Sequence, residues 1–199
     1  MKELLVATGN RGKLEEFRAL LDGHVEHLYS LADFPQMPQV VEDGVTFVAN
    51  ASKKALAAAK FSGMPALADD SGLVVELLNG RPGVWSARYA GDHATDTQNN
   101  EKLLLELSEI PSDQRRAAFH CVIALCLPDG NCRTFDGALS GVILQEPRGS
   151  GGFGYDPLFL VPEYGKTLAE LPMEVKNRIS HRGRAMALLR QELLAAGGA

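Results

Sequence analysis

An excess of positive charge is missing from this chain: twenty Lys and Arg stand against twenty-five Asp and Glu, a net charge of −5. Sequence-independent binding of nucleic acid through phosphate neutralisation is therefore disfavoured, while a local basic pocket for a small anion stays open. Cysteine is scarce too. Cys121, Cys126 and Cys132 form an odd count with no CxxC pair, which suits neither a disulfide framework nor a zinc site and points to buried thiols in a reducing compartment. No window approaches the ~20 apolar residues needed to span a bilayer, and the apolar start of MKELLVATGN soon gives way to polar residues. A cytoplasmic protein with no membrane partner is expected, in which the Asn50-Ala51-Ser52 sequon carries no weight. Linkers, internal repeats and low-complexity segments are also lacking, so the 199 residues read as a single domain.

The composition is 45% hydrophobic and 23% charged, inside the globular range and away from the disordered class. Glu3 to Ala7 reads as a short buried strand, and Gly12 to Leu21 places Leu14, Phe17, Leu20 and Leu21 on one helical face. Three-to-four spacing of apolar residues in the alanine-rich run Thr46 to Lys60 predicts a second helix. Pro65 to Ala68 reads as a strand ending at Asp69-Asp70-Ser71-Gly72, with extended character resuming from Leu73 to Leu78. A third helix spans Thr95 to Leu107. Arg116 to Leu127 and Cys132 to Leu144 flank an Asp129-Gly130 turn and predict a long hairpin. A last helix runs from about Ser180 to Leu194 and ends in a frayed tail at Gly197 and Gly198.

Four constellations carry chemistry. Thr8-Gly9-Asn10-Arg11-Gly12-Lys13 is a polar turn between strand and helix, where backbone N–H groups and Lys13 suit a phosphate. It is not a Walker loop, because Gly9 and Gly12 are three apart and Leu14 follows the lysine; its plain structural reading is a connection capped by Asn10. Asp69-Asp70, with Glu42-Asp43 in an upstream loop, offers the hard oxygens that Mg²⁺ takes alongside substrate phosphates. Adjacent acids on an extended segment point to opposite faces, so only one of the two aspartates faces a given site directly; the plain alternative is a solvated acidic turn. Gly149 to Gly154 contains the letters GxGxxG, but Tyr155-Asp156-Pro157 follows instead of a helix, which rejects a dinucleotide site. What remains is a flexible loop presenting Phe153, to stack on a purine or to fold into the core. Lys176 and Ser180-His181-Arg182-Gly183 precede and open the last helix. Arg182 only donates hydrogen bonds, so it can recognise a carbonyl oxygen and would meet an exocyclic amine donor to donor. Of Lys53 and Lys54, only one can face the same side as Lys13, and Lys54 lies one turn from Asn50.

Together these segments resemble the inosine triphosphate pyrophosphatase family. The matching stretches are ATGNRGK (7–13), TFVANASKKA (46–55), ALADDSGL (66–73), GVWSARYAG (83–91), FHC (119–121), GSGGFGYDPLF (149–159) and ISHRG (179–183), in the family's order and spanning nearly the whole chain. The resemblance implies an α/β fold with an elongated mixed β-sheet, flanking helices and two lobes around a nucleotide-binding cleft, assembled as a homodimer. It implies Mg²⁺-dependent hydrolysis of ITP, dITP or XTP to the monophosphate and pyrophosphate. Residue by residue, it assigns the triphosphate to Thr8, Gly9, Asn10, Arg11, Gly12, Lys13 and Lys54, and the metal to Glu42 and Asp70. Asp70 is also the implied proton acceptor, Ser71 contacts substrate, and Asp69 supports. Phe153, Gly154, Tyr155, Asp156, Lys176, His181 and Arg182 are the implied base-binding side.

Attack of water on a phosphorus within a polyanion makes charge neutralisation and positioning dominant, which fits lysines and a metal. Asp70 would accept the water's proton or only hold and orient a metal-bound water. Other readings are a related pyrophosphatase for modified pyrimidine or methylated nucleotides, separable by a substrate panel, and a nucleotide sensor that binds without cleaving. The sensor has no use for the Glu42 and Asp70 pair. A nucleic-acid binder is disfavoured by the net charge.

Overall fold

The computed structural model describes residues Met1 to Gly197; Gly198, where part of the expected frayed tail falls, lies outside the described residues. The architecture is mixed α/β, a seven-stranded sheet in the order β2-β1-β3-β4-β5-β6-β7 with flanking helices. The strands are β1 (Glu3–Val6), β2 (His27–Ser30), β3 (Ala66–Val75), β4 (Arg116–Cys126), β5 (Cys132–Ile143), β6 (Phe159–Val161) and β7 (Lys166–Thr167). The helices are α1 (Arg11–Leu21), α2 (Phe47–Ser62), α3 (Asp96–Glu106), α4 (Met173–Ile179) and α5 (His181–Gly197). β1 runs parallel to β2 and β3, whereas β6 is antiparallel to β5 and β7. The chain forms two compact units: unit 1 holds residues 1–70, 121–137 and 181 onward, and unit 2 holds 71–120 and 138–180.

Unit 1 is a three-layer sandwich dictated by strand alternation. Leu4, Val6, Leu67 and Ile123 pack on one face against Phe17, Leu20 and Leu21 of α1 and Ala185, Met186 and Leu189 of α5. Leu5, Ala7, Ala66, Ala68, Val122 and Ala124 pack on the other against α2, whose buried face is Ala51, Ala55, Ala58 and Ala59. Small side chains along one helical stripe let α2 lie close to the sheet. Each fully buried leucine or phenylalanine here contributes about 1.5–3 kcal/mol. α1 begins where the Asn10 side chain accepts the Lys13 N–H at 3.0 Å, and α2 where Thr46 accepts that of Ala49 at 3.1 Å.

Unit 2 has its own core, including Leu73, Val75, Leu103, Leu107, Phe119, Ile143, Tyr155, Leu158 and Phe159. Arg115, buried within it, donates to the carbonyls of Leu107, Ile110 and Leu144 at 2.8, 2.9 and 3.3 Å. The guanidinium thus closes the C-terminus of α3, where carbonyls lack intrahelical partners. The glycine-bearing stretch from Gly149 to Gly154 joins β5 to β6 with no helix after it, as expected.

Three expectations are corrected. Asp69 and Asp70 do not end a strand: β3 continues through Ser71 and Gly72 to Val75, because each carboxylate finds a partner that makes burial tolerable. Extended character then stops at Val75, and Glu76 to Leu78 forms a 3-10 turn. Cys126 and Cys132 are joined as a disulfide, leaving Cys121 as a buried thiol. The hairpin brings these two cysteines to a Cα separation of 4.1 Å across a five-residue loop, a local proximity that counting cysteines does not register. The hairpin itself forms as the Asp-Gly pair predicts, with the Leu127 N–H donating to the Asn131 carbonyl and Gly130 at φ +100°.

Candidate functional site

The alternation that builds unit 1 also sorts its two aspartates. Asp69 shares the face of Leu67 and meets groups from α1 and α5; Asp70 shares that of Ala66 and Ala68 and meets α2. Lys13 Nζ lies 3.1 Å from Asp69 Oδ2, which also accepts from Arg182 Nε and Nη2 at 3.2 and 3.0 Å. Arg182, its side chain 1% exposed, gives Nη1 to Glu16 Oε2. Burial pushes the Asp69 carboxyl up, but Lys13, Arg182 and Lys54 outweigh it and hold it well below the usual carboxylate range. Asp69 is therefore a fixed negative charge that anchors two cations.

Asp70 is the opposite case. Burial raises its carboxyl above the ordinary range, with Glu42 pushing the same way, while Lys54, the Asn50 amide and Lys13 pull only partly back. Asn50 orients it, donating Nδ2 to Asp70 Oδ2 at 2.9 Å. The amide is itself fixed by Gly44, whose N–H donates to Asn50 Oδ1 at 2.8 Å and whose carbonyl accepts from Nδ2 at 3.3 Å. A Cβ on Gly44 would come within 2.6 Å of Asn50 Oδ1, so the glycine is needed for that approach. Lys54 Nζ lies 2.9 Å from Glu42 Oε2, while its neighbour Lys53 points elsewhere to the exposed Asp43 at 2.7 Å.

The turn from Thr8 to Lys13 lies at the start of α1, with Thr8 Oγ1 accepting the Asn10 N–H at 3.2 Å and Arg11 exposed beside Glu15. Unit 1 thus gathers Thr8, Gly9, Asn10, Arg11, Gly12, Lys13, Glu42, Lys54 and Asp70 with the buried pair Asp69 and Arg182, and places His181, buried, as the first residue of α5.

Unit 2 gathers the other set. Asp156 Oδ2 accepts both Lys176 Nζ at 2.7 Å and the Phe153 N–H at 3.0 Å, and Lys176 Nζ sits 4.7 Å from the centre of the Phe153 ring. The Lys176 and Asp156 side chains are only 4% and 5% exposed, so this pair is shielded from water and salt. Gly152 stands at φ +73°, and a Cβ there would lie 2.1 Å from Asp156 Oδ2; only glycine allows this carboxylate to reach back to Phe153. Tyr155 is turned into the core, its hydroxyl donating to the Ser86 carbonyl at 2.8 Å. Ser71, half-buried on β3, is the first residue of unit 2. Of the aromatic neighbourhood at 85–89, Tyr89 is buried, while Trp85 is half-exposed with Arg88 stacked 4.4 Å from its ring.

Several contributors escaped the sequence reading. Glu16 is a buried carboxylate on α1, and its signal is a charge at the helical spacing of Lys13 and Leu20, inside an apolar stripe. Asn50 is noticed there only as a neighbour of Lys54. Asp96 and Asn100, on α3, contact Gly154 and left no local signal.

The Ham1 family's sequence profile matches residues 4–192, and the chain belongs to that family. A dITP/XTP pyrophosphatase from Geobacter sulfurreducens is 61% identical over 193 residues, covering 97% of each chain. Another from Desulforamulus reducens is 55% identical over 184 residues, covering 92% of each. Among solved structures, a HAM1 protein from Coxiella burnetii matches with a TM-score of 0.89 at 45% identity, over 98% of this chain and 100% of its own.

Proposed function

We propose that this protein is a nucleoside triphosphate pyrophosphatase that hydrolyses ITP, dITP and XTP to the monophosphate and pyrophosphate, clearing these non-standard purines from the nucleotide pool. The relatives bearing the name dITP/XTP pyrophosphatase support the substrate class. The observation that carries the chemistry is the split of two adjacent carboxylates. Asp69 is locked as an anion beneath Lys13 and Arg182, whereas Asp70, one residue on, is raised by burial and oriented by Asn50. A carboxylate that burial disfavours as an anion, set beside lysines, is suited to accept a proton in acid–base catalysis.

Lys13, Lys54 and the N–H groups at the start of α1 bind the triphosphate, with Thr8 to Gly12 shaping that turn. Asp70 orients the attacking water and takes its proton as the bond to the α-phosphorus forms and pyrophosphate leaves. Among the described residues there is no cluster of three metal-ligating side chains. Glu42 and Asp70 nevertheless fit Mg²⁺, which takes one or two protein carboxylates and completes its shell with water and substrate phosphates. When bound, the ion neutralises phosphate charge that the two lysines only partly cover.

The purine stacks on Phe153, and the donor-only cation Lys176 favours an oxygen at C6 over the amine of adenine. Asp156 holds Lys176 in place, Gly154 and Tyr155 complete the loop, and Ser71 and His181 contribute at the substrate. Because its substrates are free nucleotides, we place the enzyme in the cytoplasm, acting as a homodimer without nucleic-acid or membrane partners. Among the described residues no helix is long and apolar enough to cross a membrane.

The test is pyrophosphate release from ITP, XTP and ATP with Mg²⁺, for the wild type and Asp70→Asn in parallel. Turnover of ITP and XTP, weak turnover of ATP and loss in the variant are expected. Tight ITP binding without pyrophosphate release would replace the enzyme with a sensor.

A further inference from the structure

We infer that Asp96 and Asn100, in the first two turns of α3, are positioning residues that set the Phe153 ring for the purine. The inference rests on the reading of Phe153 as the base platform. Phe153 lies in a run with glycine at 149, 151, 152 and 154, a backbone with little intrinsic preference for one conformation. A stacking platform in such a loop needs the peptide planes around it held.

Three side chains do this, one for each of three consecutive peptide groups. Asp156 Oδ2 accepts the Phe153 N–H at 3.0 Å, fixing the peptide before the Phe153 Cα. Asp96 Oδ2 accepts the Gly154 N–H at 2.7 Å, fixing the peptide after it. Asn100 Nδ2 donates to the Gly154 carbonyl at 3.0 Å, fixing the next one. With both flanking peptide planes held, φ and ψ of Phe153 are set and so is the direction in which its side chain leaves the backbone. Gly154 sits at φ +61°, and the two α3 side chains hold it by its own N–H and carbonyl.

Neither residue is needed to make α3. The helix start is closed by a capping box in which Thr95 accepts the Gln98 N–H and Gln98 reaches back to Thr95. Asp96 is left for Gly154. Asn100 is a poor helix former, and its Oδ1 is buried with no hydrogen-bond partner among the described residues, an arrangement unfavourable for folding that leaves its bond to Gly154 as what it supplies.

The experiment is steady-state pyrophosphate release from ITP, with thermal melts of each variant. Asp96→Ala should raise KM for ITP about tenfold, with kcat within about twofold and the melt unchanged, since Asp96 is exposed. Asp96→Asn keeps an acceptor for the same N–H and should restore KM to within about twofold of wild type. Asn100→Leu, similar in size, should raise KM in the same way and spares the buried acceptor, so this arm survives if the other variant folds poorly. Unchanged KM in Asp96→Ala and Asn100→Leu, with an active wild type, overturns the inference alone. Equal losses in Asp96→Ala and Asp96→Asn also overturn it, because charge and not the hydrogen bond would then matter. A wild type inactive on ITP and XTP removes the underlying reading together with it.

Discussion

Asp69 and Asp70 are joined by one peptide bond and live in opposite electrostatic worlds: the first is pinned between Lys13 and Arg182, the second rests on the amide of Asn50. A shift of one residue along β3 would exchange them, since side chains alternate across a strand.

The pair therefore separates stability from activity. Asp69→Asn leaves the half-buried Lys13 and the buried Arg182 short of a counter-charge and should lower unfolding stability by about 3–5 kcal/mol in urea titrations. Asp70→Asn removes a carboxylate that burial disfavours, so its melting temperature should hold or rise, while pyrophosphate release falls at least ~100-fold. Comparable melting losses in both variants would contradict the division.

Arg182 has carboxylates on two sides, Glu16 and Asp69. Arg182→Met should destabilise strongly, and adding Glu16→Met should recover part of the loss, because an unpaired buried charge is worse than none. Urea titrations of both variants decide this, and no recovery in the double variant would contradict the pairing.

Phe153→Ala should weaken binding of inosine monophosphate by the value of one base–aromatic stack, about 1–3 kcal/mol, and Phe153→Tyr should preserve it. Isothermal titration decides this; equal affinity in wild type and the alanine variant would place the ring outside the base site.

Glu170 closes the 3-10 turn after β7, its Oε2 accepting the Thr167 N–H at 2.7 Å. That bond, helped by Arg148, holds its carboxyl below the usual range. A carboxyl lowered on folding stabilises above its unfolded pKa, about 4.3, and loses that contribution as pH falls through the lower folded value. The melting gap between wild type and Glu170→Gln should thus be present at pH 7 and close towards pH 3. A gap independent of pH would show that the bond does not depend on ionisation.

What could be read from the sequence was whatever has a local cause. Asn10 caps α1, Thr46 and the alanine stripe make α2, and Asp129-Gly130 turns the hairpin, each from residues within a few positions of one another. β2 and β7 were not read, because these short strands lack the apolar run that marks β1 and are stabilised by remote partners. β6, with three residues, is shorter than a strand pattern, and α4, with seven, is too short to show a helical period. Asp-Asp-Ser-Gly looks like a turn until Lys13, Arg182 and Asn50, distant in sequence, make its acids acceptable inside a strand. Glu16 fails for the same reason: a glutamate on an amphipathic helix reads as solvated unless the arginine 166 positions away is known. The motifs marked the candidate residues, and the residues that hold them in place remained silent.

A single oxygen, Asp156 Oδ2, receives both the Phe153 backbone and the Lys176 ammonium. Anyone re-engineering this loop would find that these two contacts cannot be tuned one at a time. A change at Lys176 releases the oxygen that shapes the loop, and a change in the loop moves the oxygen that seats Lys176. A new shape for this loop would have to be drawn from libraries that vary residues 152 to 156 and 176 as one block, since stepwise walks would pass through intermediates that lose both contacts at once.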